Sequence, residues 1–225
     1  MKWIGKLVAG MARRLITPFV PAGKALLYNC WLHKLDGAAE PELLHLDDFI
    51  AATGTAIDVG VDRGFYTCAL SRRFKRVYAF EINEGLAAPI AQFNPGNIEI
   101  VNCRLWPEAD TDETTPSAGQ PVQNPVPVAR LDSFSLDTVD LIRIGAGEAA
   151  LEVLAGAAAT IEKSRPMVLV SLKKEQVEAA NDWFRNLDYK HCFLEDFNEV
   201  RGSAWNHIYT PFERLASFGI ARPLD

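Results

Sequence analysis

From residue 55 to residue 210, short apolar runs alternate with helical stretches, and this alternation narrows what the chain can fold into. Apolar runs at 55–60, 76–82, 97–105, 139–144 and 166–172 read as buried strands, with a shorter one at 128–131. Helical periodicity at 65–74, 85–93, 148–163 and 174–187 separates them. Consecutive βαβ units require a parallel sheet with helices on both faces. The last two strand candidates, 189–197 and 204–210, have Gly202 between them and read as an antiparallel pair. Residues 107–127 break the pattern: rich in Pro, Thr, Ser, Gly, Gln and Asp, they read as a long surface excursion, either over an active site or a plain insertion.

Bulk properties fit this outline. At 225 residues the chain suffices for one α/β domain with a sizeable core and is short for two. Hydrophobic and charged contents of 48% and 23% match a globular protein, and the net charge of −6 argues against nucleic acid as the main partner. The charge is unevenly spread. Residues 1–35 hold Lys2, Lys6, Arg13, Arg14, Lys24 and Lys34 and no acid; the rest carries 17 basic against 29 acidic side chains, a net −12. Cys30, Cys68, Cys103 and Cys192 form no CxxC pair and read as reduced, mostly packed thiols, since the spacing offers no ligand pairs for zinc. No apolar run is long enough to span a bilayer, and Lys6, Arg13 and Arg14 interrupt any signal-peptide core, so a cytoplasmic location is expected.

Residues 1–54 read as a helical covering segment ahead of the domain at 55–225. Its first part, 2–19, is a basic amphipathic helix with Trp3, Ile4, Leu7, Val8, Met11 and Leu15 on one face. Such a helix suits peripheral contact with an anionic membrane, or docking on its own domain or a second subunit. Pro18 and Pro21 end it.

The first strand runs into Asp58, then Gly60 and Gly64 four residues apart, then a new helix; the second strand ends on Glu81. Glycines let a backbone approach a nucleoside ligand, and a carboxylate closing the second strand accepts hydrogen bonds from ribose hydroxyls. A dinucleotide site would place glycine where Asp62 stands, and Asp62 would crowd and repel a pyrophosphate. A ligand without phosphate fits better. S-adenosylmethionine is one: Asp58 would serve its cationic methionyl part directly or through water, Glu81 would hold the ribose, and Asn102 with Cys103 would flank the adenine. The plainer reading of the same residues is a tight turn in a Rossmann-like core.

Residues 58–67 (DVGVDRGFYT), 78–81 (YAFE), 97–102 (NIEIVN), 130–134 (RLDSF), 140–144 (DLIRI), 151–157 (LEVLAGA) and 165–170 (RPMVLV) follow in an order that resembles the FkbM family of methyltransferases. The resemblance covers roughly 55–210. It implies a Rossmann-like class I methyltransferase fold: a mostly parallel seven-stranded sheet, an antiparallel C-terminal hairpin and helices on both faces. It also implies methyl transfer from S-adenosylmethionine, commonly to a hydroxyl of a sugar or natural product, hence a small-molecule or glycan acceptor. The cofactor-binding residues expected on this basis are Asp58, Gly60, Asp62, Gly64, Tyr66, Glu81, Asn102 and Cys103, with no metal.

The chain departs from the family after the fourth core strand. Where family members carry a Lys-Ile-Asp-Val-Glu-Gly-Ala-Glu-like segment, this sequence has RIGAGEAA at 143–150. The family's three acidic positions fall on Gly145, Gly147 and Ala150, and its Lys on Arg143; the later strand ends on Ser171 where the family usually has Glu. O-methylation is helped by a base beside the acceptor hydroxyl. Glu148 could act as one, but it equally suits the first turn of a helix. His207 could be another, or a packing histidine. No catalytic residue is assigned, and a catalytically impaired relative that serves as a binding or assembly module stands as the alternative to a working O-methyltransferase.

Overall fold

A computed structural model of the chain describes residues 2–50, 54–108, 126–197 and 199–218. The N-terminal part is helical: α1 (Lys2–Leu15), a 3-10 turn at Thr17–Phe19, α2 (Ala22–Leu35), α3 (Pro41–Leu44) and α4 (Leu46–Phe49). The expected helix at 2–19 thus ends at Leu15, with Pro18 inside the following turn. Alternation begins with β1 (Thr55–Val59), α5 (Phe65–Leu70), β2 (Arg76–Phe80), α6 (Glu84–Phe93) and β3 (Ile98–Val101). Next come β4 (Arg104–Leu105), β5 (Val128–Ala129), β6 (Leu141–Ile144), α7 (Ala150–Gly156), α8 (Ala158–Ser164), β7 (Met167–Ser171) and α9 (Val177–Asn186). The chain closes with β8 (Tyr189–Cys192), β9 (Asn206–Pro211) and α10 (Phe212–Leu215). Most of the 107–127 excursion lies outside the described residues.

Seven strands form one sheet in the order β3-β2-β1-β6-β7-β9-β8. The first five run parallel, and β9 is antiparallel to both β7 and β8. The period of two along each strand divides the core between the two faces. Ala56, Ala79, Leu141, Leu169 and Ile208 meet Leu26, Phe49, Leu70 and Ile90 on one face. Ile57, Phe80, Ile142, Val168 and Tyr209 meet Leu154, Ile161 and Phe184 on the other, where Phe184 stacks on Tyr209 with ring centroids 4.0 Å apart. Strands buried on both faces explain the unbroken apolar runs of the sequence. Burial of each such Leu, Ile or Phe stabilises the fold by about 1.5–3 kcal/mol.

Four expected elements are divided. The strand expected at 189–197 keeps only Tyr189–Cys192 before a 3-10 turn at Leu194–Asp196, and the helix expected at 174–187 opens with a 3-10 turn at Lys174–Gln176. The run 97–105 stays in the sheet only through Val101; β3 is the edge strand, and after Asn102 and Cys103 the chain leaves to pair β4 in parallel with β5. The helix expected at 148–163 becomes a 3-10 turn at Gly147–Ala149 followed by α7 and α8. Gly156 packs on Trp106, where an added Cβ would come within 2.7 Å of the carbonyl oxygen. Asp132 re-starts the chain as α8: its carboxylate accepts from the Thr160 amide (2.8 Å), the Thr160 hydroxyl (2.8 Å) and the Ala159 amide (3.2 Å).

Candidate cofactor cleft

The strand order reverses between β1 and β6, each of which feeds its connection to a different side of the sheet. Open α/β sheets form their ligand crevice outside the carboxyl ends of the strands at such a switch point. A cleft of about 480 Å³ opens there, lined by Val59, Gly60, Phe80, Glu81, Cys103 and Gly145, among others, and walled by Glu148, Glu152 and Val153.

Glu81 follows the last residue of β2 and is nearly buried. Its carboxylate accepts from the amides of Asn83 (2.9 Å) and Asp62 (3.3 Å), so two backbone donors fix it at the cleft wall without a cationic side chain. Gly60 has φ +73°, and a Cβ there would lie 2.7 Å from the carbonyl oxygen of Gly145; the turns after β1 and β6 meet backbone to backbone.

Asp58 is placed differently from the sequence expectation. It is fully buried and does not line the cleft. The physical reason is the strand period: Val59 points to the cleft side, so Asp58 points to the opposite face, towards α5. In register beside it on β6 is Arg143, whose guanidinium donates to Asp58 Oδ1 (3.2 Å) and to the Gly60 carbonyl (2.6 Å). Thr67 Oγ1 donates to the other carboxylate oxygen at 2.6 Å. Burial drives the Asp58 carboxyl above its ordinary range, and Arg143 and Thr67 pull it back.

The same guanidinium lies over the Tyr66 ring, 4.5 Å from its centroid, and Tyr66 donates to Glu40 at 2.7 Å. Burial and the Glu40 charge push the Tyr66 hydroxyl far up, so it remains a donor. Asn206 on β9 donates to Glu40 (2.9 Å) and Glu42 (3.2 Å), tying the covering segment to the far side of the sheet. This network surrounds a second cavity of about 230 Å³, lined by His33, Glu40, Asp62, Arg63, Tyr66 and Arg143 among others. The turn after β1 is therefore a shared wall, with the cleft at Val59 and Gly60 and the cavity at Val61, Asp62 and Arg63.

The absence of a side chain at 145 fits its surroundings. A side chain at Gly145 would run into the Arg143 guanidinium. Arg143 and Gly145 form one arrangement.

Of the expected site residues, Gly60, Glu81 and Cys103 come together in the cleft, while Asp62 and Tyr66 line the cavity. Gly64 supports the fold: at φ +75° it precedes α5, and a Cβ there would strike Ile90 at 2.8 Å. Asn102 is exposed, 3.4 Å from Glu84, and is not among the residues lining either space.

The two candidate bases fare differently. Glu148 lines the cleft but is paired with Lys173, which holds its carboxyl below the usual range and weakens it as a base. His207 lies beside His191, Nδ1 to Nε2 2.9 Å, away from the cleft lining. Burial holds its pKa below the ordinary imidazole value. Sequence reasoning passed over Glu152 on α7. It lines the cleft, and its buried Oε2 has no hydrogen-bond partner among the described residues. The signal in the sequence was an acid one position before the inward-facing Val153 and Leu154.

Among the described residues no cluster of His, Cys, Asp or Glu could hold a metal ion. No family model matches the sequence, and no curated protein matches it either. Solved structures do share its fold. The FkbM methyltransferase from Methylobacillus flagellatus KT superposes with a TM-score of 0.52 at 15% identity, over 92% of this chain and 58% of that one. A candidate methyltransferase of Streptococcus mutans in complex with SAH gives 0.49 at 13% identity, over 76% and 97%. An rRNA methylase from Streptococcus thermophilus gives 0.48 at 12%, over 76% and 93%. The architecture is thus the Rossmann-like class I methyltransferase fold. With the FkbM methyltransferase the likeness is one of fold, and this chain spans under two thirds of that protein's length.

Proposed function

We propose that the chain is an S-adenosylmethionine-dependent methyltransferase acting on a hydroxyl of a sugar or natural product. The observation that carries this reading is Glu81: a carboxylate held by two backbone amides at the wall of the switch-point cleft, suited to accept from a ribose diol. The cleft also suits another part of the cofactor. Phe80, Cys103 and Val153 offer apolar walls for a purine. When bound, the cofactor would supply an electrophilic methyl group. The chain's own part is to orient the acceptor in line and receive its proton. Glu152 is the acid for that role, since Glu81 is held by amides and Glu148 by Lys173. The acids Glu81, Glu148 and Glu152 at the cleft favour an uncharged acceptor over a phosphate backbone.

A second reading rests on the strand end itself: Gly145, Ala146 and Gly147 bring no carboxylate to the cleft mouth. On that reading the chain binds the cofactor and serves as a binding or assembly module. Calorimetric titration with S-adenosylmethionine and S-adenosylhomocysteine, followed by turnover across a panel of hydroxyl acceptors, separates the two. Glu81→Gln should weaken adenosyl-ligand binding about 10- to 100-fold, the worth of a charge-assisted hydrogen bond. Glu152→Gln should leave binding intact and abolish turnover. No binding to wild type sinks the proposal. Binding without any turnover favours the module.

A further inference from the structure

α1 is docked with the wrong side for an ordinary surface helix. Amphipathic helices bury their apolar stripe against the core. Here the buried side is the small one: Ala9 is fully buried, Ala12 nearly so, and a Cβ on Gly5 would strike the Leu35 carbonyl oxygen. Those residues meet Leu32, Tyr28 and Leu35 of α2, and the Tyr28 hydroxyl donates to the Ala12 carbonyl at 2.7 Å. The apolar stripe is left in solvent. Trp3, Ile4, Leu7, Val8, Met11 and Leu15 are between 41% and 73% exposed, and Phe19 in the next turn is 84% exposed. An apolar surface of this continuity on a folded chain marks an interaction site.

Charge selects the occupant. The first 35 residues hold six basic side chains and no acid, against the net −12 of the rest. At 100° per residue Arg14 falls within the stripe, between Trp3 and Leu7, and Lys6 lies beyond its Trp3 edge. A two-fold dimer through this face would set each basic segment against its copy, at a repulsive cost. A negatively charged bilayer surface satisfies both features at once, with the aromatic residues Trp3 and Phe19 suited to the headgroup level. We infer that α1 is a preformed interfacial helix which seats this protein on anionic lipid bilayers by its exposed stripe. No helix among the described residues is long and apolar enough to cross a membrane, so the contact is one of lying on the surface.

The test is flotation of the full chain with vesicles of phosphatidylcholine containing phosphatidylglycerol, and with phosphatidylcholine alone. Wild type should float with the anionic vesicles only. Leu7→Glu with Met11→Glu should lower partitioning at least about tenfold, since both side chains would be buried in the interface. Lys6→Glu and Arg14→Glu should each weaken it about fivefold or more. Because all four side chains are solvent-facing, unchanged thermal unfolding serves as the folding control. Absence of wild-type flotation on anionic vesicles, or equal flotation of the Leu7/Met11 variant, would overturn the inference. So would a lipid-free dimer in sedimentation velocity that the same variant splits, which would assign the stripe to a second copy.

Discussion

Asp58 and Glu81 sit at the ends of neighbouring parallel strands, each after an apolar run, and each is almost wholly removed from solvent. They are used in opposite ways. Asp58 leaves β1 on the face covered by α5 and meets a cation, Arg143, in register on β6. Glu81 lies beyond the last pleat of β2 and, among the described residues, is held by two amides on the wall of the cleft. The difference teaches that a buried carboxylate neutralised by a side chain belongs to the scaffold. One held by backbone donors keeps lone pairs for a ligand.

The largest effect expected from this comparison is on stability. Arg143→Ala strands the Asp58 charge in the core, and urea unfolding should show a loss of about 3–5 kcal/mol. Glu81→Gln, by contrast, should cost about 1 kcal/mol while harming ligand binding. Equal losses for the two would break the distinction. A middling effect is expected for Gly145→Asp, which forces the guanidinium off its seat: about 1–3 kcal/mol. Adding Arg143→Lys should recover part of that loss; an additive penalty would show that positions 143 and 145 are independent.

The smallest effect concerns pH and lies far from both carboxylates. His191, stacked on Tyr209 and bonded to His207, is lowered by burial to about 4. The unfolded chain, with an imidazole near about 6.5, binds more protons between those values. Stability is therefore whole above that window and falls as pH drops through it. The melting temperature should decrease by about 2–6 °C from pH 7 to 4 beyond the general acid effect. His191→Phe, which keeps the stacking, should flatten that part of the profile.

The fold was legible in the sequence because its strands are buried on both faces, and helices alternate with them at readable spacing. Gly60, Glu81 and Cys103 were legible as cleft residues because the turn and strand ends lie at fixed offsets from the apolar runs. The partner of Asp58 was not, since it depends on the register of a strand 85 residues further on. Glu152 was hidden because, inside a helix, an acid beside apolar neighbours looks like the solvent side until the cleft lining is known. The division of the third strand at Asn102 followed from its edge position, which only the strand order reveals.

The seating of the Arg143 guanidinium over Gly145 has a consequence for how this chain can change over generations. A side chain cannot arrive at 145 until the arginine moves, and the arginine cannot depart without abandoning Asp58. Substitutions at 58, 143 and 145 are therefore expected to be coupled rather than additive. A carboxylate introduced at 145 alone is expected to give a less stable chain than one in which position 143 changes with it.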